Sequence, residues 1–464
     1  MQNTQLDKLK QDFSGQVIAP GDELYEQASA TFIRKGAPAL VLRSATIEDI
    51  AMGIRYARDH SLPLSVRGGG HSFAGFGTNN GGLVIDLSSM KEIQLIHSDR
   101  RVVRIEAGAT WGEVAQVLGQ HQLAISSGDT KSVGVGGLTL GGGIGWMVRK
   151  YGLAIDSLLA AQVVTAYGET LRASATENED LFWALRGGGG NFGLVTNFEF
   201  AARPVSKVFF GTIFYGLEEL SAVLKGWRDT MRSASEDLTT TLIIMPPFAG
   251  NPATLMVMAC YAGTGAAAVQ AVGPLLELGS VLNEDLKEVE YAEVLEEGQE
   301  PPDFLRLIGK NVFVESLSDE LIQALAAAGG KEGSPAISIR SLGGAMARIP
   351  TEATAYAYRQ SEAVIAGVTF VPANASESEL SQALKPWESI AAFGSGAYSN
   401  FQGTTTEEDI QTIYPPVTYA RLAAIKARYD PENLFNQNHN IRPALDFVGV
   451  EAGFGYEDQT EDYT

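Results

Sequence analysis

Arg67-Gly68-Gly69-Gly70-His71-Ser72 is the stretch around which the chain is organised. It follows directly on Pro63-Leu64-Ser65-Val66, an apolar run that reads as a short strand. Three consecutive glycines let a backbone turn through positive φ and bring its amide N–H groups close to an anion. Arg67 adds a planar positive fork of the kind that takes phosphate. His71 is the one nearby side chain able to act as a nucleophile or to carry a proton. Alone the loop decides little, because a histidine beside a glycine turn is commonly structural.

Outward from the loop, Ala39-Leu40-Val41-Leu42 predicts a strand. Thr46 and Asp49 predict a capped helix with Ile47, Ile50, Ala51 and Ile54 at helical spacing. A compact β-α-β unit therefore ends in the glycine loop. Leu83–Leu87 and Val102–Ile105 predict further strands, and Thr110 with Glu113 a second capping box. Next come eight glycines within the 18 residues 128–145, interleaved with valines and leucines. That mixture reads as an extended backbone wall against a ligand rather than a linker. Leu158–Thr165 and Glu169–Arg172 predict a hairpin. Residues 188–193 match GxGxxG in form, but a helix at 180–186 precedes them and a strand at 194–200 follows. A dinucleotide fingerprint needs the reverse order, so that reading is rejected.

From about Pro204 the glycine walls stop. Strand-like runs at 208–215, 239–245, 255–261 and 336–339 alternate with helical stretches at 267–278 and 319–328. An antiparallel sheet with helices on one face is expected there. Two helices, 407–414 and 419–429, precede Asn436-Gln437-Asn438-His439-Asn440. The tail 451–464 carries five acidic residues among 14.

Bulk properties narrow the classes. With 464 residues, 45% hydrophobic and 19% charged, the chain is an ordinary globular protein with room for more than one domain. A formal charge of −21 argues against nucleic acid and anionic membrane surfaces as partners. Cys260 is the only cysteine, which excludes an intrachain disulfide, and the five histidines form no HExxH or close pair. No metal is expected. The N-terminus lacks the apolar core of a signal peptide and no run approaches a membrane span, so a cytoplasmic protein is expected, as monomer or homodimer.

Four segments together carry a pattern: SVRGGGHSFAGFGTNNGGLVIDLSSM, SVGVGGLTLGGGIGWMVRKYGL, DLFWALRGGGGNFGLVTNFEF and YDPENLFNQNHNIRP. In this order and spacing the chain resembles the FAD-linked oxidases of the vanillyl-alcohol oxidase superfamily, berberine-bridge-enzyme-like branch. It resembles bacterial members of the 6-hydroxy-D-nicotine oxidase and polyketide-biosynthesis kind more than the plant ones. The resemblance spans nearly the whole chain and is weakest at 205–335.

It implies an α+β fold: an FAD-binding domain in two parts, 1–204 and 401–450, with an antiparallel-sheet-plus-helices substrate domain inserted at 205–400. It also implies a covalent bond from His71 to the flavin. Arg67, Gly68, Gly69, Gly70 and Ser72 would lie against the pyrophosphate, with Gly75 and Gly128 nearby. The wall Gly134, Gly136, Gly137, Gly141, Gly142, Gly143 and Gly145 would face phosphates and isoalloxazine, and Val195, Asn438 and Asn440 would border the cofactor. Relatives often carry a second bond from a cysteine where this chain has Thr130. A hydroxyl cannot replace a thiolate in that addition, so a single bond is expected. Val133 holds the position that governs oxygen access in the family, and valine there implies an oxidase. Tyr398 and Asn400 fit the family's Y-x-N-[FY] motif, whose tyrosine often takes the substrate proton; Tyr419 is the second choice.

The expectation is an oxidase acting on a C–H that bears OH or NH, on a small secondary-metabolite or amine-type molecule, with molecular oxygen as acceptor. A lactone-forming carbohydrate oxidase and a flavin-binding protein with little turnover stay open.

Overall fold

The computed structural model describes residues 2–248, 250–298, 302 and 304–444. The acidic tail and the last residues of the C-terminal return lie outside these. Leu40–Arg43, Leu83–Asp86 and Leu64–Arg67 pair in parallel, with Gln16–Ile18 antiparallel on the edge. Parallel strands need a crossover, and the helix Ile47–Asp59 carries the chain from Leu40–Arg43 to Leu64–Arg67, with Leu83–Asp86 later filling the place between them. Thr46 and Asp49 form the expected capping box, and Ile50, Ile54 and Ala57 are buried against the sheet. The second box, Thr110 with Glu113, starts the helix Trp111–Gly119. A five-stranded antiparallel sheet follows, its central strand Leu194–Ala201 between Val102–Glu106 and Leu158–Val164. The helix Glu179–Leu185 lies before the 188–193 glycines, in the order that excludes a dinucleotide fingerprint.

One hydrophobic core joins both of these sheets and also takes in Leu422, Ile425, Tyr429, Phe435 and Ile441 from the C-terminal return. The return is pinned by Lys426, fully buried in the helix Pro416–Tyr429. Its Nζ donates to the Asn191 carbonyl (2.6 Å), the Phe435 carbonyl (2.9 Å) and Asp430 (2.6 Å).

Residues 207–372 build a seven-stranded antiparallel sheet. Its long strands Val281–Glu290, Leu305–Val314 and Ala363–Pro372 are absent from the sequence reading. The predicted helix at 267–278 is an α-helix Ala266–Val272 continued as a 3₁₀ helix Gly273–Glu277. The helices Leu220–Ser233, Asp319–Ala328 and Glu377–Ala391 cover one face, burying Trp227, Leu321 and Trp387 against Leu242, Ile337 and Ile365. Because side chains alternate along a strand, the next residues over point to the opposite face. Register aligns Met258, Thr241, Arg340 and Val364 as one row across four strands of that face.

Candidate active site

The glycine loop leaves the C-terminal end of Leu64–Arg67 and is half-buried from Gly68 to Ala74. Gly70 and Gly75 adopt φ of 71° and 75°, which side chains rarely tolerate. Gly69 lies directly against Gly134. A Cβ on either would collide with the backbone nitrogen of the other, so two glycine loops meet main chain to main chain. His71 stacks on Phe32 with ring centroids 4.5 Å apart. A Cβ at Gly298 would lie 3.3 Å from His71 Cε1, 2.9 Å from Ser132 Oγ and 3.4 Å from a Thr130 methyl, which brings these three side chains to one place.

The Arg67 fork does not face this loop. Its guanidinium turns inward and donates to Asp86 (2.9 Å) and to the carbonyls of Ala28 (2.6 Å) and Ala30 (2.9 Å). The cause is register: Asp86 is its partner on the adjacent parallel strand. Burial works against the Asp86 carboxylate, but Arg67, the Ser88 N–H and Arg43 outweigh it and hold the group below its ordinary range.

The second loop differs from the extended wall expected. Gly134 is the N-cap of a short helix, Val135–Leu140, so Gly136 and Gly137 are helical. Gly137 is exposed, with open space where a side chain would be. The remaining glycines make room chiefly for protein: Gly141 for the Asn400 amide, Gly142 for the Tyr356 ring, Gly143 for Ala154, Gly145 for the Ser127 carbonyl and Gly128 for Leu138.

At the end of this wall sits Tyr398, 2% exposed. Its phenolic oxygen accepts from Gly143 N–H (2.9 Å), Ile144 N–H (3.3 Å) and Asn400 Nδ2 (2.8 Å). The Asn400 amide is oriented by a second donation, to the Leu138 carbonyl (3.0 Å). A neutral phenol offers two lone pairs and must also place its own proton. Three N–H donors on one oxygen are the complement of a phenolate. Burial pushes the Tyr398 pKa up, opposed by the Ile144, Gly143 and Asn400 hydrogen bonds and by the charge of Arg340, and the balance stands above the ordinary tyrosine value.

Other expected residues take different places. The Tyr419 hydroxyl accepts from Arg442 N–H (3.2 Å) and holds the return segment, so it does not join the Tyr398 cluster. Val195 is buried in the strand Leu194–Ala201, within the main core. Val133 packs on that core, and its carbonyl accepts from Trp111 N–H. Thr130 Oγ1 donates to Asp129 (3.3 Å). Asn438 Nδ2 donates to the Gly190 and Phe435 carbonyls. His439 is buried, edge-on to Phe76, with Nε2 3.1 Å from the Ser399 carbonyl. Burial holds its pKa at about 4.

Whether these residues suit a large polar cofactor can be tested on buried polar atoms without partners. Thr139 Oγ1, Asn438 Oδ1, His439 Nδ1 and Asn440 Oδ1 are such atoms, three of them in the 438–440 run. Unpartnered buried groups are costly, and a polar ligand relieves them. With the paired glycine loops and open Gly137, the residues fit a dinucleotide.

The sequence reading missed a cavity of about 120 Å³ beneath the seven-stranded sheet. Asp129, Glu296, Thr241, Ser338 and Arg340 supply its polar lining, and Trp146, Ile243, Met258, Val364 and Phe401 its apolar walls. The ring of Phe401 lies 5.0 Å from that of Tyr398. Arg340 pairs with Asp129 at 2.5 Å, donates to Thr241 Oγ1 at 3.0 Å and lies over the Trp146 ring. An arginine alternating with isoleucines in Ile337-Ser338-Ile339-Arg340 was the available signal, since a strand read by period two puts it on one face.

A pair of glycine loops that fit a dinucleotide, joined to a buried tyrosine under the seven-stranded sheet, suits a flavin-dependent oxidoreductase. The FAD binding domain family model matches residues 38–174, and the berberine and berberine-like model matches residues 397–442. (R)-6-hydroxynicotine oxidase of Paenarthrobacter nicotinovorans is 30% identical over 458 residues, 92% of this chain and 97% of the relative. The solved 6-hydroxy-D-nicotine oxidase of Arthrobacter nicotinovorans superposes with TM-score 0.84 at 28% identity, covering 93% of this chain and 98% of its own. Glucooligosaccharide oxidase of Acremonium strictum, whose structure concerns a 6-S-cysteinyl, 8α-N1-histidyl FAD, gives 0.81 at 25% identity, covering 94% and 98%. The chain belongs to the berberine-like family of FAD-linked oxidases. Among the described residues, no helix is long and apolar enough to cross a membrane.

Proposed function

We propose that this protein oxidises a small molecule at a carbon bearing OH or NH, with its flavin tethered by a single bond from His71 and with Tyr398 as the base. The carrying observation is the Tyr398 oxygen with its three N–H donors. When bound, the flavin supplies the hydride acceptor and passes two electrons to molecular oxygen, giving hydrogen peroxide. Tyr398 holds the proton lost from the substrate O–H or N–H, and Gly143, Ile144 and Asn400 stabilise its anionic form. Residues 1–204 and 401–450 are assigned to hold the cofactor, and 205–400 to shape the substrate side.

Support for the tether is positional. His71 stands at the exit of the glycine loop beside Ser132 and Thr130, and a histidyl-linked FAD is named for the glucooligosaccharide oxidase that shares this fold. Thr130 in place of a thiol supports one bond rather than two. Val133 is the residue on which the choice of oxygen as acceptor rests. The nicotine-oxidase relative supports an amine-type substrate; the carbohydrate oxidase among the solved neighbours keeps a lactone-forming reading as the second. Cytoplasmic residence is part of the proposal.

A screen of amines, alcohols and sugars for peroxide release tests the activity. Tyr398→Phe is expected to lower turnover on any hit by ~10²–10⁴-fold, the usual contribution of a general base. Undiminished turnover in that variant would remove Tyr398 from its role.

A further inference from the structure

Arg340 is 7% exposed, and its three nitrogens have unequal fates. Nη2 is paired with Asp129 and Nε with Thr241, while Nη1 is buried without a partner. A guanidinium nitrogen can only donate, and a buried donor left unpaired is costly. The same side chain lines the 120 Å³ cavity next to the Tyr398 cluster, so an acceptor placed in that cavity would supply the missing partner.

Charge and size narrow the acceptor. Asp129 already neutralises Arg340, and Glu296 stands at the same lining as a second carboxyl group. An incoming carboxylate would put a third acid beside one guanidinium, whereas an uncharged oxygen adds no repulsion. Trp146, Met258 and Val364 supply apolar walls for a ring. A dry cavity of roughly 150 Å³ takes a benzene molecule, so this space matches about one six-membered ring. We infer that Arg340 is a specificity-determining residue whose Nη1 receives a neutral carbonyl or hydroxyl oxygen of a ring-bearing substrate. The inference rests on the reading that this side of the Tyr398 cluster holds substrate.

Calorimetric titration of the flavin-loaded protein with phenol, benzoate and fluorobenzene tests it. Phenol is expected to bind at least tenfold more tightly than either of the others, the scale set by one buried donor gaining its partner. Benzoate binding as well as phenol, or phenol no better than fluorobenzene, overturns the inference whatever a variant does. The double variant D129N/R340M removes the donor without stranding a buried charge. At unchanged flavin content it should lose about tenfold in phenol affinity and nothing in fluorobenzene affinity; unchanged phenol affinity overturns the assignment. Peroxide release is read separately. An active oxidase that fails the titration loses only this subsite, and a protein that passes it without turnover loses only the oxidase reading.

Discussion

At Tyr398 one oxygen collects three N–H donors, and burial opposes the charge that those donors favour. Since the net direction is upward from the ordinary tyrosine value, the deprotonated base becomes more abundant as pH rises through the alkaline range. kcat/KM for any substrate found should therefore climb with pH toward a plateau, and Tyr398→Phe should remove that limb from the residual rate. His439 makes the opposite kind of prediction. Its folded pKa of about 4 lies below the ordinary histidine value near 6.5, so the unfolded chain binds the extra proton first. Stability from this group is present above the unfolded value and falls as pH drops from about 6.5 to about 4. His439→Gln should flatten the melting temperature across that window; a fall as steep as wild type would contradict it.

Elements show why some residues were legible and others were not. The two capping boxes, Thr46 with Asp49 and Thr110 with Glu113, are local chemistry, and both form. Arg67 was misread because the sequence cannot say that Asp86 will be its neighbour on a parallel strand. The 128–145 segment was expected as extended backbone, whereas Gly134 caps the short helix Val135–Leu140, because glycine favours close approach without stating to what. Gly141, Gly142 and Gly145 admit Asn400, Tyr356 and Ser127, contacts made only by tertiary folding. Gly69 and Gly134 are the pair for which close approach is most stringent. Gly134→Ala should cost about 1–3 kcal/mol by overpacking. Purified Gly134→Ala should also hold less flavin per chain, read from the ratio of visible to ultraviolet absorbance.

On the scale of the whole molecule, the C-terminal return closes onto a core begun more than two hundred residues earlier. The motifs at both ends suggested that closure, and the shared core is where the return packs. The seven-stranded sheet was only partly readable: Val281–Glu290 is mostly exposed, half of its residues are charged, and it lacks apolar alternation. The cavity row Met258, Thr241, Arg340 and Val364 depends on register across four strands, which no local pattern encodes. Lys426 locks the return, and its loss would leave the buried Asp430 carboxylate without a counter-charge, held only by the Leu434 and Phe435 N–H groups. Lys426→Met should destabilise the protein by about 3–5 kcal/mol. Limited proteolysis should then cut first within residues 430–441; cleavage elsewhere at the wild-type rate would contradict this.

The claim that ties these scales together is that His71 carries the flavin. The direct measurement is the intact mass of the acid-denatured polypeptide for wild type and His71→Ala. One FAD added to the wild-type chain and none to the variant is the expected result. An unmodified wild-type mass, or an adduct that survives in His71→Ala, would contradict it.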